Sequence, residues 1–423
     1  MRIPRAMTLP LALAVVSLVY ACADDAQPIE ASDPLDDDGG TTTPRRDAST
    51  TNEPDEPVDG GPETAGGDAG EAGDAAVDPP QKVMVVRVGQ LDGGTLGELA
   101  AQLFIDEYEM TSNTLERTIP LPTAANGDHR AIVQTSAAVP VHEGAISRSS
   151  DKHAAIVTGY TSYHQSVAMP PFVIMGPPDL SLSPRVVARV DADGGIDTTT
   201  LLSDSFAATE IGGAAMSDDN VWLAGTNGGP VGPVQHLKFR NSVGGGATNG
   251  NDILTPPGGM YYALRIFDGE LYASSRDGAI VDVGSGLPIM GGETATPLVE
   301  EVPGAFEFEL VDMDGAQGAE RLYVALDGEG AEAGAPGGVR RYSYGAASKQ
   351  WELTATFSDG FDGGARGLTA YRDGTNVVIV ATTADGKRLV RLVDTGGTTA
   401  TPSTIATAPA GVVYRGVTVS PLP

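Results

Sequence analysis

Short apolar runs separated by turn residues dominate the chain from residue 81 to its end. The runs are rich in Val, Ile, Leu and Tyr, and Gly, Asp, Asn and Pro stand between them. Such runs are typical of β-strands, and partial alternation of polar and apolar residues predicts strands covered on one face. Helical periodicity is confined to one segment, which predicts a short helix around Leu96 to Gln102. The pattern predicts an all-β domain over residues 81–423.

One hairpin pattern recurs in this domain: a semi-apolar strand, an Asp-rich turn and a more apolar strand. Five copies and a final half-copy are marked in order by Gly144, Gly213, Ala263, Phe308, Gly367 and Gly416. The markers stand 45 to 69 residues apart, which is close to the blade length of β-propellers. Two further strands can be placed after each hairpin. We therefore predict a β-propeller with blades of four strands.

The half-copy at the end predicts how the ends of the domain meet. A lone final strand would expose unpaired N–H and C=O groups, and the domain begins with three strands that lack a first partner, at residues 83–88, 103–108 and 115–121. We expect the N- and C-terminal strands to pair and close a ring of six blades. Seven blades are expected if residues 129–136 form a blade of their own. A β-sandwich is the alternative fold.

The first 22 residues have the pattern of an export signal. Arg2 and Arg5 precede a mostly apolar stretch of 14 residues that ends at Tyr20, which is too short to span a bilayer. The segment Val19-Tyr20-Ala21-Cys22 resembles the lipobox of bacterial lipoproteins. The resemblance implies that residues 1–21 are a signal peptide and that Cys22 is acylated after cleavage.

Cys22 is the only cysteine of the chain, which excludes an intrachain disulfide and suits a lipid acceptor. The alternative is ordinary cleavage that releases a soluble protein. Residue 23 is alanine, unlike the aspartate that retains some lipoproteins at the inner membrane, so we expect the outer membrane or the cell surface.

Residues 23–80 contain 17 acidic and two basic residues and no aromatic residue. Such a segment buries too little apolar surface to fold, so we predict that residues 22–80 are a lipidated cysteine followed by a disordered acidic tether. The whole chain carries a formal charge of −30. An acidic surface repels phosphate backbones, so nucleic acid is not an expected partner. We expect a monomer.

The layout of the folded part is similar to that of secreted six-bladed propellers of bacteria. Glu143-Gly144-Ala145-Ile146-Ser147 before Gly159-Tyr160, and Tyr414-Arg415-Gly416-Val417 near the end, resemble phrases in uncharacterised members of such families. The resemblance implies the fold and no activity, because propellers carry many functions.

A candidate site comes from aligning the repeats, which places the start of each first strand around a central channel. The aligned positions are Glu143, Gly212, Tyr261 or Tyr262, Glu307, Arg366 and Arg415, with Tyr414 adjacent. Charged groups and phenols that converge are typical of a polar ligand site. The predicted binding residues are Glu143, Tyr261, Glu307, Arg366, Tyr414 and Arg415. The alternative is a water-filled channel whose charges pair with each other.

No motif indicates catalysis, a zinc site or a cofactor. The Asp-rich segments at residues 191–194 and 312–315, the latter with Glu320 further on, lack the full spacing of a calcium loop, and Asp-Gly is common in tight turns. We therefore interpret both as turns, with calcium as the alternative. The five histidines form no metal-binding pair. His142 beside Glu143 would be an acid–base pair at the channel mouth, but we interpret both as solvated loop residues.

The predicted function is that of a cell-envelope lipoprotein that displays a propeller for binding a small molecule, a glycan or a protein. The alternative is a calcium-dependent hydrolase of the lactonase or esterase kind with its site in the channel. Propellers of that kind hold calcium with Glu, Asn and Asp, whereas Arg366 and Arg415 would repel a dication here.

Overall fold

The computed structural model describes residues 82–89, 100–135, 142–161, 184–203, 206, 210–225, 237–241, 244, 250–255, 259–275, 278–328 and 337–423. The predicted signal peptide, Cys22 and the acidic tether lie outside the described residues. The residues that are described form strands, turns and loops, with no α-helix. None of them belongs to a helix of the length and apolar character needed to cross a membrane.

In the described part of the chain, 25 strands pair antiparallel in one nine-stranded sheet and four four-stranded sheets. The nine-stranded sheet contains β1 (Lys82–Val88), β2 (Ala100–Glu109), β3 (Thr114–Pro120), β4 (Val133–Thr135), β5 (Ile146–Arg148), β6 (Ala154–Tyr160), β7 (Arg185–Asp191), β8 (Ile196–Leu202) and β25 (Val413–Val419).

The other sheets follow in chain order. The first two contain β9 (Ile211–Ser217), β10 (Asn220–Gly225), β11 (Leu237–Arg240), β12 (Asn251–Asp252), β13 (Tyr261–Phe267), β14 (Glu270–Ser275), β15 (Ala279–Val283) and β16 (Ala295–Val299). The last two contain β17 (Ala305–Val311), β18 (Arg321–Leu326), β19 (Gly338–Gly345), β20 (Gln350–Phe357), β21 (Ala365–Asp373), β22 (Asn376–Thr383), β23 (Arg388–Asp394) and β24 (Ser403–Thr407). All-β architecture with four-stranded sheets confirms that part of the sequence prediction.

The nine-stranded sheet consists of two four-stranded parts joined by one short strand. One part is β25-β1-β2-β3 and the other is β5-β6-β7-β8. Strand β4 pairs with the first residues of β2 and meets β6 at Val133 and Tyr160. Within the described residues, the segment considered for a seventh blade thus provides a three-residue bridging strand.

The final strand pairs with the first one. In this antiparallel pair, Val417 of β25 lies opposite Val85 of β1, and Val419 lies opposite Val83. This is the partner that the half-copy predicts for β25. All four side chains are buried.

The predicted helix around Leu96 to Gln102 is wrong in its described part. Residues 96–99 lie outside the described residues, and Ala100, Ala101 and Gln102 are extended residues of β2 that pair with β4. Backbone pairing across the sheet therefore overrides the weak local preference of this segment.

The five predicted hairpins are present as β5–β6, β9–β10, β13–β14, β17–β18 and β21–β22. The turn of β13–β14 shows why Asp-Gly pairs predict them. Asp268 and Gly269 have φ angles of 51° and 81°, and such left-handed pairs match the twist of a two-residue hairpin.

Six strands, one from each four-stranded unit, lie side by side, and we call them the lead strands: β5, β9, β13, β17, β21 and β25. Each contacts the next in that order, and β25 contacts β5. Apolar clusters fill the space between neighbouring sheets; one joins Ala263 and Ile280 to Phe308 and Val324. The core therefore lies between sheet faces.

Candidate ligand-binding cavity

Five of the six lead strands share an irregularity that directs side chains into one cavity. In β13 the register shifts between Tyr261 and Leu264, so two residues bulge from the ladder. The equivalent two-residue bulges are Gly212-Gly213, Tyr262-Ala263, Phe306-Glu307, Arg366-Gly367 and Arg415-Gly416. A bulge re-aims the side chains beside it.

The cavity encloses about 560 Å³, open solvent at its mouth included. It brings together most of the predicted binding residues, namely Glu143, Glu307, Arg366, Tyr414 and Arg415. Tyr261 is not among the lining residues; its side chain packs in an apolar cluster with Leu264 and Trp222. Tyr262 lines the cavity instead, because the bulge shifts the alternation along β13.

Glu143 and Arg415 form a buried ion pair at one side of the cavity. Arg415 Nη1 lies 3.2 Å from Glu143 Oε2 and donates to Gln134 Oε1 at 3.0 Å. The Tyr160 hydroxyl donates to Glu143 Oε1 at 2.8 Å. Burial lowers the pKa of Arg415, and the charge of Glu143 opposes that effect. These polar groups therefore satisfy each other within the protein.

Arg366 lies beside both an aromatic ring and a carboxylate. Its Nη2 donates to Asp327 Oδ2 at 3.1 Å, and its guanidinium carbon stands 4.7 Å from the centroid of the Phe306 ring. The buried Nε of Arg366 has no hydrogen-bond partner among the described residues. Arg366 therefore keeps a donor that the protein does not use.

Three nearly parallel rings line the same cavity. The Tyr262 ring centroid lies 4.6 Å from that of His142 and 5.1 Å from that of Phe306. The planes of His142 and Phe306 differ by 17°. Offset stacking of this kind stabilises ring clusters beyond simple burial. Because the three residues come from different lead strands or their flanks, the cluster depends on the assembled fold.

His142 is held by a carboxylate that the sequence does not point to. Its Nδ1 lies 2.7 Å from Glu210 Oε2, and its backbone N–H donates to the same oxygen at 3.2 Å. Burial acts to raise the pKa of Glu210, but the contacts with His142 outweigh it, so this pKa lies below its ordinary value. The interpretation of His142 and Glu143 as solvated loop residues is wrong, since His142 is stacked and Glu143 is buried.

Glu307 joins four other lead strands. Its carboxylate accepts hydrogen bonds from the backbone N–H groups of Ile146 at 3.0 Å, Leu368 at 2.8 Å and Val417 at 3.3 Å. Arg265 Nη2 of β13 stands 3.6 Å from the same group. Burial raises the pKa of Glu307 to about 7, although Arg265 and the three N–H donors act to lower it.

Small residues around Glu307 make room for its carboxylate. A Cβ atom on Gly416 would collide with Glu307 Oε1 and with the carbonyl oxygen of Gly144, and a Cβ on Gly367 would collide with the carbonyl oxygen of Arg415. In the other four bulged strands, the second bulge position is occupied by a small residue: Gly213, Ala263, Gly367 or Gly416. Among the five bulged strands, Glu307 is therefore the only large side chain at this position.

Tyr414 lines the cavity, but its hydroxyl is engaged elsewhere. The oxygen lies 3.0 Å from the Tyr108 hydroxyl of β2. Burial raises the pKa of Tyr414. Gly212 offers no side chain, and a Cβ there would collide with the Tyr262 carbonyl oxygen.

The acidic turns use their carboxylates locally. Asp312, Asp314 and Glu320 have carboxylate oxygens within 4.8 Å of one another. Asp312 Oδ1 accepts the backbone N–H of Gly315 at 2.7 Å, and Glu320 Oε2 accepts that of Met313 at 2.7 Å. These hydrogen bonds agree with the interpretation of the segment as a turn.

Comparisons with known proteins supply no family. No family model and no curated protein matches the chain. Among solved structures, a glucose dehydrogenase has a TM-score of 0.41 at 11% identity and covers 74% of this chain and 99% of its own. The acylaminoacyl peptidase of Pyrococcus horikoshii has a TM-score of 0.35 at 10% identity and covers 78% and 52%. Dihydro-heme d1 dehydrogenase NirN has 0.34 at 10% identity and covers 81% and 76%. These similarities are too low to assign an activity.

We predict that Glu307 makes stability depend on pH. Its pKa of about 7 in the folded chain exceeds the ordinary value of 4.5, so the folded chain binds this proton more tightly than the unfolded chain does. The resulting stability is complete below pH 4.5 and is lost as pH rises to about 7. Between these limits, the free energy of unfolding of the wild type should fall by about 3 kcal/mol relative to Glu307→Gln.

Urea unfolding of both proteins at several pH values measures this difference. Glu300→Gln, at an exposed position, is the control for loss of a carboxylate. A free energy of unfolding of the wild type that stays constant or rises with pH relative to that of Glu307→Gln would contradict the assignment.

Proposed function

We propose that the six four-stranded units form a closed six-bladed propeller that binds a small ligand in the cavity between its lead strands. The cyclic order of contacts among the lead strands supports the ring. The pairing of β25 with β1 supports it further, because it places both ends of the domain in one four-stranded unit.

The observation that carries the binding function is the joint placement of three rings and Arg366 around one cavity. His142, Tyr262 and Phe306 stack there, and the Arg366 guanidinium lies over Phe306. Aromatic surface with a few convergent polar groups is the usual composition of a small-molecule site.

A channel filled only with water and paired charges accounts for part of this cavity. Glu143 pairs with Arg415, and Glu307 accepts three backbone N–H groups. It does not account for the stacked rings, because a charge-pairing role needs no aromatic surface. We therefore assign ligand contact to the rings and Arg366, and a structural role to Glu143, Glu307 and Arg415.

The proposed place of this domain is the cell envelope. The lipobox-like segment ending in Cys22 supports export and acylation, and two or more acyl chains anchor a protein firmly. The acidic segment of residues 23–80 then serves as a spacer between the membrane and the propeller. Ala23 in place of an aspartate after Cys22 supports the outer membrane or the cell surface.

Hydrolysis is the second candidate function, and the His142–Glu210 pair favours it. A carboxylate that holds Nδ1 of a histidine leaves Nε2 for proton transfer. A calcium-dependent version is disfavoured because Arg366 and Arg415 line the cavity. If the full chain hydrolyses an ester or a lactone and His142→Gln loses that activity, hydrolysis would replace ligand binding as the proposed function.

If the ring is closed by β25, removal of residues 412–423 should abolish cooperative unfolding. The truncation strips β1 of one partner and opens an edge at the centre of the domain. Urea unfolding and size-exclusion chromatography of the truncated and full chains measure the effect. Removal of residues 421–423 alone, which leaves β25 intact, should retain a cooperative transition. Equal unfolding curves for the full chain and the longer truncation would rule out closure by β25.

If Cys22 is acylated, the full chain expressed in a bacterial host should partition into the detergent phase of a Triton X-114 extract. Cys22→Ser should move it to the aqueous phase, because the lipid acceptor is lost. Ala23→Ser is the matched control and should leave partitioning unchanged. Detergent partitioning of Cys22→Ser equal to that of the wild type would refute lipid anchoring.

If the ring cluster binds ligand, compounds that bind the full chain should bind Phe306→Leu about tenfold more weakly, because the stacking surface is reduced. The probes are neutral, anionic and cationic ring compounds at millimolar concentration, and the measurement is saturation-transfer NMR with titration of each hit. Tyr344→Ala removes an exposed ring outside the cavity and should change nothing. No hit, or hits that bind all three proteins equally, would exclude this site.

A further inference from the structure

We propose that the end of the domain opposite the cavity rests on the surface of a phospholipid bilayer, with the exposed loop tip of Ile289 and Met290 as its main contact. The inference rests on the lipid anchor proposed at Cys22 and not on ligand binding in the cavity. Three observations carry it: where the chain enters the domain, where the exposed apolar side chains lie, and how the tip is held.

The chain enters the domain at the end of the lead strands that lies away from the cavity. Strand β25 begins beside the cavity, which Tyr414 and Arg415 line, and ends at Val419. In the antiparallel partner β1, Val83 lies opposite Val419. Lys82, and with it the predicted tether that precedes it, therefore stands at the far end. We call this the tether end, defined by Lys82, Val419 and the turns that follow the other lead strands.

The loop between β15 and β16 lies at the same end. Strand β13 also begins beside the cavity, β14 runs back towards it, and β15 runs away again, so residues 284–294 follow the far end of β15. Turns of different sheets meet there. The Gly318 N–H donates to Asp268 Oδ2 at 3.0 Å. The Leu422 N–H donates to the Lys152 carbonyl oxygen at 2.8 Å.

Exposed apolar side chains of the described residues concentrate at the tether end. Ile289 and Met290, which are 51% and 70% exposed, form the tip of the β15–β16 loop. The other large ones are Leu115, Tyr344 and Leu422, beside turns or strand ends there, and Leu353, further along β20. None of these six lines the cavity. Because they come from three sheets, a flat surface suits them better than one pocket on a protein partner.

Hydrogen bonds fix the loop on both sides of the tip. The Trp222 indole N–H donates to the Pro288 carbonyl oxygen at 2.6 Å. On the other side, the Glu293 N–H donates to the Ile253 carbonyl oxygen at 3.1 Å, and the Thr255 N–H donates to that of Glu293 at 2.9 Å. The two apolar side chains between these points are thus presented in a fixed position, which lowers the ordering cost of a contact.

A lipid anchor makes a contact of this small size sufficient. The tether of residues 22–80 would span about 40 Å as a random coil, so an anchored domain stays near the bilayer. The tip then meets the surface at an effective concentration of about millimolar, and burial of its apolar side chains biases the orientation. The formal charge of −30 opposes contact with anionic headgroups, so we assign the contact to neutral phospholipid. In this orientation the cavity opens away from the membrane.

Quenching by brominated phosphatidylcholine measures the contact. Met290→Trp places a fluorophore at the tip, and Glu300→Trp, at an exposed position just after the other end of β16, is the matched control. Each full chain, acylated in a bacterial host, is added to vesicles of phosphatidylethanolamine and phosphatidylcholine, and the emission of the wild type is subtracted. We expect the emission added at residue 290 to fall by about half, as for a group at the headgroup–acyl boundary, and that at residue 300 to stay unchanged.

Two further substitutions in the Met290→Trp chain locate the contact. Ile289→Ser should reduce the quenching about twofold, because it removes half of the apolar tip. Leu353→Ser removes a side chain of similar exposure away from the tip and should leave the quenching unchanged. Equal effects of both substitutions would contradict the assignment to the tip. Quenching that increases when phosphatidylglycerol is added would contradict the assignment to neutral lipid.

The remaining outcomes separate this inference from the proposed function. Equal quenching at residues 290 and 300, or none at residue 290 in a chain that floats with the vesicles, would overturn the proposal and leave the lipid anchor intact. A chain that does not float with the vesicles would refute the anchor and this inference together. Ligand binding in the cavity is measured with the Phe306→Leu variant, so its failure would leave the membrane contact standing.

Discussion

The carboxylate of Glu307 is the interaction on which the arrangement of the lead strands depends. It accepts backbone N–H groups from β5, β21 and β25 and lies beside Arg265 of β13, so one side chain of β17 touches four other lead strands. A buried acceptor that lost these donors would leave several polar groups unsatisfied at once. The glycines at Gly367 and Gly416 belong to the same constraint, because side chains there would occupy the space that the neighbouring strands and Glu307 need.

The cavity lies at the bulges of the lead strands. The first residue of each bulge in β13, β17, β21 and β25 lines the open space. Two charged residues of the lining, Glu143 and Arg415, pair with each other and with Tyr160 and Gln134. The ring cluster lines the same cavity, and the buried Nε of Arg366 makes no hydrogen bond with the described residues. The same geometry thus separates structural charges from the proposed binding surface.

The local sequence pattern was sufficient to predict the hairpins and the pairing of the last strand of the domain with the first. Asp-Gly pairs such as Asp268-Gly269 specify tight turns because few other residues accept their φ angles, and the half-copy at Gly416 needed a partner for its backbone. The residues that face the cavity could not be predicted from simple alternation at the bulges. A two-residue bulge shifts the inward face, so Tyr262 faces the cavity where alternation from one end of β13 selects Tyr261.

Contacts between distant segments left no signal in the sequence. His142 and Glu210 stand 68 positions apart, and Arg366 and Asp327 stand 39 apart. Neither pair has a spacing that any motif requires. The extended conformation of Ala100 to Gln102 depends in the same way on β4, which pairs with it from residues 133–135. Glu307 was found as a polar position of the repeat, but its role as an acceptor for three strands follows only from their assembly.

Hydrogen–deuterium exchange of the wild type and Glu307→Leu, which removes both acceptor oxygens, followed peptide by peptide, tests this role of Glu307 most directly. Our account predicts that peptides containing Ile146, Leu368 and Val417 lose protection together in the variant, although they are far apart in the sequence. Loss of protection confined to the β17–β18 hairpin, with those three peptides unchanged, would contradict it.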